Sequence, residues 1–113
     1  MCNTEVANTD RIRALNDELR RDLTTGRAFI TPGIAAPGQV AVERIIKTVA
    51  VFDDFCHAND PYCEHDFGSF EGEGRQIFFK IDYFDATLTY HSPDPADPAV
   101  TTRVITIMLA EEY

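Results

Sequence analysis

The stretch 59–85 constrains the fold of this chain more than any other segment. It joins an acidic loop to the most β-prone run of the sequence, and Gly72-Glu73-Gly74 divides that run into segments 66–71 and 75–84. Glycines between two such segments are typical of a β-hairpin. In the second segment, alternate positions form two sets. The apolar set is Ile77, Phe79, Ile81 and Tyr83, and the mixed set is Phe78, Lys80, Asp82 and Phe84. Because successive strand side chains point to opposite faces, we expect the apolar set to face helices and the mixed set to be half covered.

Two helices and a short strand are predicted before this hairpin. Thr9 or Asp10 can cap a first helix, and Pro37-Gly38 opens a second helix with a broad apolar face. Between the two helices, residues 27–31 indicate a short strand that ends at Pro32-Gly33.

The segments after the hairpin are less uniquely patterned. Thr87–Tyr90 can add a third strand, and Asp97 followed by Pro98 is a typical helix start, so we predict a helix over 98–110. The β-branched residues of 100–107 favour a strand instead.

These elements predict an α+β protein. We expect a small antiparallel sheet of three to four strands packed by three helices, in the order α-β-α-β-β-(β)-α. Residues 1–9 are predicted to be a flexible N-terminus and residues 10–113 a single domain, because this length is typical of one domain.

The negative charge of the chain is concentrated in its second half. The net charge is −9. Residues 53–113 carry thirteen acidic and three basic side chains, a net of −10, while residues 1–52 carry six acidic and seven basic side chains, a net of +1. An acidic surface repels phosphate backbones and attracts basic surfaces. We therefore expect a protein partner with a basic surface and no direct binding of nucleic acid.

The sequence also predicts a cytoplasmic location. No apolar run approaches the roughly 18 residues of a membrane span, so we expect no membrane partner. The first residues lack the basic and then apolar pattern of a secretory signal. In a reducing compartment, the cysteines at 2, 56 and 63 are expected to be free thiols.

Asp60, Glu64, His65 and Asp66 form a cluster of reactive side chains in the loop before the hairpin, and three interpretations are open. In a structural one, Asp60 caps a turn, Glu64 is solvated, and His65 or Asp66 fixes the loop by bonding backbone groups. In a second, the four residues bind a divalent metal, and a metal-dependent hydrolase uses His65 as general base or ligand with Glu64 and Asp66. In a third, the loop contacts a basic partner together with four more carboxylates, which are Glu71, Glu73, Asp94 and Asp97.

A zinc site is the weaker metal hypothesis. Cys56, His57, Cys63 and His65 are four soft ligands within ten residues, but six residues separate the cysteines, more than in a zinc knuckle. We therefore expect no cofactor.

Several short motifs occur together along the chain. They are Ile12-Arg13-Ala14-Leu15-Asn16-Asp17, Phe52-Asp53-Asp54-Phe55, Asn59-Asp60-Pro61-Tyr62, Glu64-His65-Asp66-Phe67-Gly68, Lys80-Ile81-Asp82-Tyr83, Ser92-Pro93-Asp94-Pro95-Ala96-Asp97-Pro98 and Leu109-Ala110-Glu111-Glu112-Tyr113. This combination resembles a small bacterial family of unknown function, met mainly in alphaproteobacteria on plasmids, integrative elements and prophages. Cys63 departs from the small residue, such as glycine, that the resemblance implies at this position, which weakens the zinc hypothesis further.

The resemblance supplies no activity, but it implies an accessory role in the biology of mobile elements. Combined with the charge, it favours a non-enzymatic, acidic protein-binding protein that inhibits a nucleic-acid-handling or host-defence protein. The hydrolase is the alternative, and a homo-oligomer that associates through the aromatic sheet face is a third hypothesis.

Overall fold

A four-stranded mixed sheet organises the fold in the computed structural model of the chain, which describes residues 7–113. The strands lie in the order β1-β4-β3-β2 and are β1 (Arg27–Ile30), β2 (Phe67–Gly72), β3 (Arg75–Phe84) and β4 (Thr102–Leu109). β2, β3 and β4 pair in antiparallel fashion, whereas β1 runs parallel to β4. The α+β class with a small sheet is confirmed, and the expected antiparallel pairing holds for three of the four strands.

Three α-helices accompany this sheet among the described residues. They are α1 (Ala7–Arg21), α2 (Pro32–Ala35) and α3 (Gln39–Val51). Their number matches the prediction, but the third helix is the short α2 after β1 rather than a C-terminal helix. Thr9 and Asp10 lie inside α1 and not before it. Of the predicted N-terminal segment, residues 1–6 lie outside the described residues and residues 7–9 belong to α1.

The helix predicted over 98–110 is wrong, because most of this segment forms β4. The Asp97 carboxylate accepts a hydrogen bond from the Ala99 backbone N–H, but only a turn follows. β4 lies between β1 and β3 and has buried residues on both faces. A strand that is covered on both faces loses the polar alternation by which strands are recognised, so its apolar pattern resembled that of a helix.

The predicted strand at Thr87–Tyr90 is also wrong. This segment is a loop that the Asp85 carboxylate closes by accepting hydrogen bonds from the backbone N–H groups of Thr87, Thr89 and Tyr90. An isolated bridge joins Phe84 to His91. Side chain-to-backbone bonds of this kind replace a strand ladder with a turn.

The predicted hairpin is confirmed. Glu73 and Gly74 form the turn between β2 and β3 with φ of 53° and 75°. Positive φ at both central residues is the geometry that twisted hairpins prefer.

The two faces of the sheet differ as the alternation in β3 predicted. Ile77, Phe79, Ile81 and Tyr83 are buried in the core that the sheet forms with the helices. The opposite face, called the open face below, carries the second set of β3 and the residues in register with it on the other strands. Among the described residues, none on the open face belongs to the hydrophobic core cluster. No helix of the described part of the chain is long and apolar enough to cross a membrane.

Candidate functional site

Asp60 organises the acidic loop from the inside. It is 1% exposed, and its Oδ1 accepts hydrogen bonds from the backbone N–H groups of Glu64 and His65 at 2.9 and 3.1 Å. The loop contains two residues in the left-handed region, Cys63 and His65, with φ of 60° and 56°. The Asp60 carboxylate therefore stabilises a backbone path that these residue types rarely adopt, as the structural interpretation expected.

His65 lies between two carboxylates. Its Nδ1 is 2.9 Å from Asp17 Oδ1, and its Nε2 is 3.9 Å from Asp60 Oδ2, a buried atom that has no hydrogen-bond partner. The imidazole also stacks on the Phe55 ring, with centroids 3.8 Å apart and planes within 4°. Nδ1 is therefore bonded to Asp17, whereas Nε2 lies beside the Asp60 carboxylate without a hydrogen bond to it.

Asp17 links His65 to the buried Arg20. The Asp17 carboxylate accepts a bond from the guanidinium of Arg20 at 2.7 Å as well as the contact with His65. Burial raises the pKa of Asp17, but the hydrogen bonds from Arg20 and His65 outweigh it, so the pKa lies below its usual value. Asp17 is therefore an anion over the physiological pH range.

Arg20 fastens the end of α3 to α1. It is 3% exposed and donates to the carbonyl oxygens of Val49 and Phe52 at 2.7 and 2.8 Å. These are carbonyls at the negative end of α3, where a cation is favourable. A cleft of about 560 Å³ opens beside these residues and is lined by Asp17, Arg20 and His65 among others.

A second polar network holds Glu64 toward the interior. Asn16, which is fully buried, donates to the Glu64 carbonyl and to the Tyr83 hydroxyl at 2.9 and 2.7 Å. The Tyr83 hydroxyl donates to Glu64 Oε1 at 2.8 Å, and Arg103 donates to Asn16 Oδ1 at 2.9 Å. Burial raises the pKa of Tyr83, so the phenol stays protonated and can donate.

Asp66 is the one carboxylate of the loop with a strongly raised pKa. Burial, followed by the negative charge of Glu64 and the smaller effects of Asp60 and Asp82, raises the pKa of Asp66 to about 6. It lines a cleft of about 290 Å³ together with Asp82 and His91. Asp66 therefore lines a different cleft from His65.

The family of the chain can be stated from its sequence match. The model of a family described as "Protein of unknown function (DUF3768)" matches residues 30–112. The chain belongs to this family. No curated protein and no solved structure matches it. The match confirms the expectation of an uncharacterised family, and it spans the acidic loop, the hairpin and β4.

The four residues proposed as metal ligands do not form one ligand set in this family member. Asp60 and His65 are neighbours, Glu64 points to Tyr83, and Asp66 lines a different cleft. Among residues 7–113, no group of three or more His, Cys, Asp or Glu residues is arranged to hold a metal ion. The zinc set fails for a separate reason, because Cys56 is an exposed free thiol whereas Cys63 is buried and disulfide-bonded. The expectation of a free thiol at Cys63 is therefore wrong.

The residues predicted to contact a partner divide into interior and surface groups. Asp60 is buried, so it does not lie on a surface that a partner could contact in this conformation. Glu73 pairs with Arg44 at 2.7 Å, and the Asp94 carboxylate accepts a hydrogen bond from a backbone N–H in its own loop. Glu71 and Asp94 are exposed, and Asp97 is partly exposed. These surface positions remain predictions for partner contact.

Sequence reasoning missed the residues of α1 that hold the loop. Asn16 and Arg20 occupy buried positions on the same side of the helix as Ile12 and Leu19, where the apolar pattern predicts only core. Polar residues four apart within an apolar stripe were the signal that could have found them, because a buried polar group needs partners.

Proposed function

We propose that this protein is a non-enzymatic, acidic protein-binding protein whose second half docks on a basic surface of its partner. One observation supports this proposal above the others. Of the thirteen carboxylates after residue 52, three pair with Lys or Arg among the described residues, and these are Glu73, Asp82 and Glu111. A partner can therefore supply charges that the chain itself does not.

Two of the four arginines of α1 are paired with carboxylates of the first half and not with this acidity. Arg13 pairs with Asp10, and Arg20 pairs with Asp17, so both bind carboxylates of the first half. Three of the unpaired acids of the second half are exposed aspartates suited to a partner's lysines and arginines, namely Asp53, Asp54 and Asp94.

The resemblance suggests where such a partner is found. We propose an accessory role on alphaproteobacterial plasmids, integrative elements and prophages, in the cytoplasm of the host cell. The partner is then a nucleic-acid-handling or host-defence protein, because such proteins carry basic surfaces that bind phosphate backbones. Occupying that surface with carboxylates inhibits the partner without any chemical step.

The hydrolase alternative has weaker support. It requires His65 as a base or ligand, and the Nδ1 of His65 is already bonded to Asp17. Glu64 and Asp66, the other proposed catalytic residues, point to different surroundings.

The proposal is tested by affinity capture from the native host with three baits. The first is the unaltered protein, the second carries Asp53→Asn, Asp54→Asn and Asp94→Asn, and the third carries Asp10→Asn, Glu18→Gln and Glu43→Gln. The two variants lose the same number of negative charges, so they separate position from net charge. All three baits are first compared by circular dichroism to establish that they are folded.

We expect one protein to be retained by the first and third baits and lost by the second. Raising the salt to about 1 M reduces the Debye length to about 3 Å and should release it. Purified complex components should then reproduce the salt dependence by calorimetry, and the purified chain should not shift labelled DNA or RNA. Equal retention by the second bait, or binding that is unchanged at high salt, would contradict the proposal.

A further inference from the structure

The open face of the sheet is an aromatic surface in an otherwise acidic half of the molecule. Phe67, Phe78 and Tyr113 form a cluster on it, with ring centroids 5.1 to 6.3 Å apart. Phe29, on the edge strand β1, is 54% exposed, and Tyr113 is 76% exposed. Phe67 and Phe78 are partly exposed, and Val104 and Met108 of the same face are buried beneath the surface. Exposed aromatic surface such as that of Phe29 and Tyr113 is typical of a contact with another protein.

The charges on the open face cancel one another. Strand alternation and register place two basic and two acidic side chains there, which are Arg27 and Lys80, and Glu71 and Asp82. Lys80 and Asp82 pair with each other at 2.9 Å. The face is therefore neutral although the chain carries −9. A basic partner would gain no attraction here, whereas a second copy meets this face without the repulsion that other acidic surfaces would cause.

Arg27 and Glu71 lie at diagonally opposite corners of the face. Arg27 is on the β1 edge at the level of Asp82, and Glu71 is on the β2 edge at the level of Gln76. Two copies can stack face to face about a two-fold axis that lies parallel to the sheets and crosses the line between these corners at its midpoint. Such an axis places the Arg27 corner of each copy over the Glu71 corner of the other. In the resulting pair, each Arg27 meets the Glu71 of the other copy, and the strands of the two sheets cross at roughly 70°, because the corners are three strand spacings and six residues apart.

The size of the face indicates a weak association. The four strands average about seven residues. With about 4.8 Å between strands and about 3.3 Å per residue, they cover roughly 19 by 23 Å, on the order of 400 Å² of flat area. Standard stable interfaces bury about 800 Å² per partner, so this contact belongs to the transient class.

We infer that the open face forms a weak, two-fold symmetric homodimer in which Arg27 of each copy pairs with Glu71 of the other. In this arrangement, Phe29 packs near Phe78 of the second copy, and the Lys80–Asp82 pair is covered as a neutral unit. This contact uses a different surface from the exposed aspartates proposed to bind the basic partner.

The inference is tested by sedimentation equilibrium across a concentration series up to about 1 mM, the range in which a weak complex populates. Three variants are compared with the unaltered protein: Arg27→Glu, Glu71→Arg and the double variant with both changes. Either single change should raise the dissociation constant about tenfold, because two rim pairs per dimer become repulsive. The double variant should return it to within about threefold of the original value, since the pairs re-form with exchanged signs.

A second comparison tests the apolar part of the contact. Phe29→Glu should weaken the dimer by more than about tenfold. Val51→Glu, at a 77% exposed position at the end of α3, is the matched control and should leave it unchanged. Circular dichroism establishes that each variant is folded.

Several results would overturn the inference. A monomer at every concentration excludes the dimer. A dimer that is insensitive to Arg27→Glu, Glu71→Arg and Phe29→Glu uses another surface. A double variant as weak as the single ones excludes the pairing of Arg27 with Glu71.

Discussion

Replacing Asp66 with asparagine should stabilise the protein at neutral pH and have little effect in acid. Burial and the nearby carboxylates, Glu64 foremost among them, raise the pKa of Asp66 to about 6 from 3.8. Because the folded-state pKa is the higher one, the ionised carboxylate opposes folding. This penalty is absent below the unfolded-state pKa, grows as the pH rises through the interval between the two values, and is complete above about 6.

The expected gain follows from the separation of the two pKa values. A separation of about 2 units corresponds to about 3 kcal/mol at about 1.4 kcal/mol per unit. Asp66 keeps part of its solvent contact, so screening reduces this figure to about 1–2 kcal/mol. Asparagine has nearly the same shape and no charge, so Asp66→Asn should recover that amount in the free energy of unfolding.

Urea unfolding followed by circular dichroism measures the effect at about pH 7.5 and about pH 4. We expect Asp66→Asn to raise the free energy of unfolding at the higher pH and to leave it close to that of the unaltered protein at the lower pH. Asp54→Asn, at an exposed position, is the matched control for the loss of one negative charge. Equal stabilisation at both pH values, or none at about pH 7.5, would refute the reasoning.

Three further substitutions test the contacts that hold the loop and the sheet, each by urea unfolding. Arg20→Leu should cost about 3–5 kcal/mol, because it leaves the half-buried Asp17 and two carbonyl groups at the end of α3 without this donor; a loss below about 1 kcal/mol would contradict this. Asn16→Ala should cost about 3 kcal/mol by removing the buried partner of Tyr83, and an unchanged unfolding midpoint would be inconsistent with that role. Gly68→Ala should cost about 1–3 kcal/mol or more, since the added Cβ would lie 2.2 Å from the Phe79 ring. The control Gly72→Ala, whose added Cβ would lie 3.2 Å from its nearest atom, should cost less. A larger loss of stability for Gly72→Ala than for Gly68→Ala would count against this packing.

The hairpin and α3 could be predicted because their signals are local. The turn at 72–74 and the alternation in 75–84 are properties of neighbouring residues, and both appear in the structure. Likewise, Gly38 precedes α3, and the helix ends at Val51, before the two aspartates whose charge would oppose its dipole.

The candidate site could be predicted only in part. The sequence identified the loop and the turn-capping role of Asp60, because an aspartate before a proline commonly closes a turn. It did not identify Asp17 as the partner of His65, which lies 48 positions away. Such a pairing depends on how α1 packs against the loop, and no local pattern records it.

The sequence by itself determined the charge distribution, the hairpin, the two longer helices and membership in an uncharacterised family. The tertiary structure alone decided that residues 102–109 are a strand and that β1 pairs with it in parallel. It also decided that both nitrogens of His65 face carboxylates. The physical reason is that turns and periodicity are fixed by residues close in sequence, whereas a central strand and a buried histidine acquire their roles from neighbours that only the folded chain brings into contact.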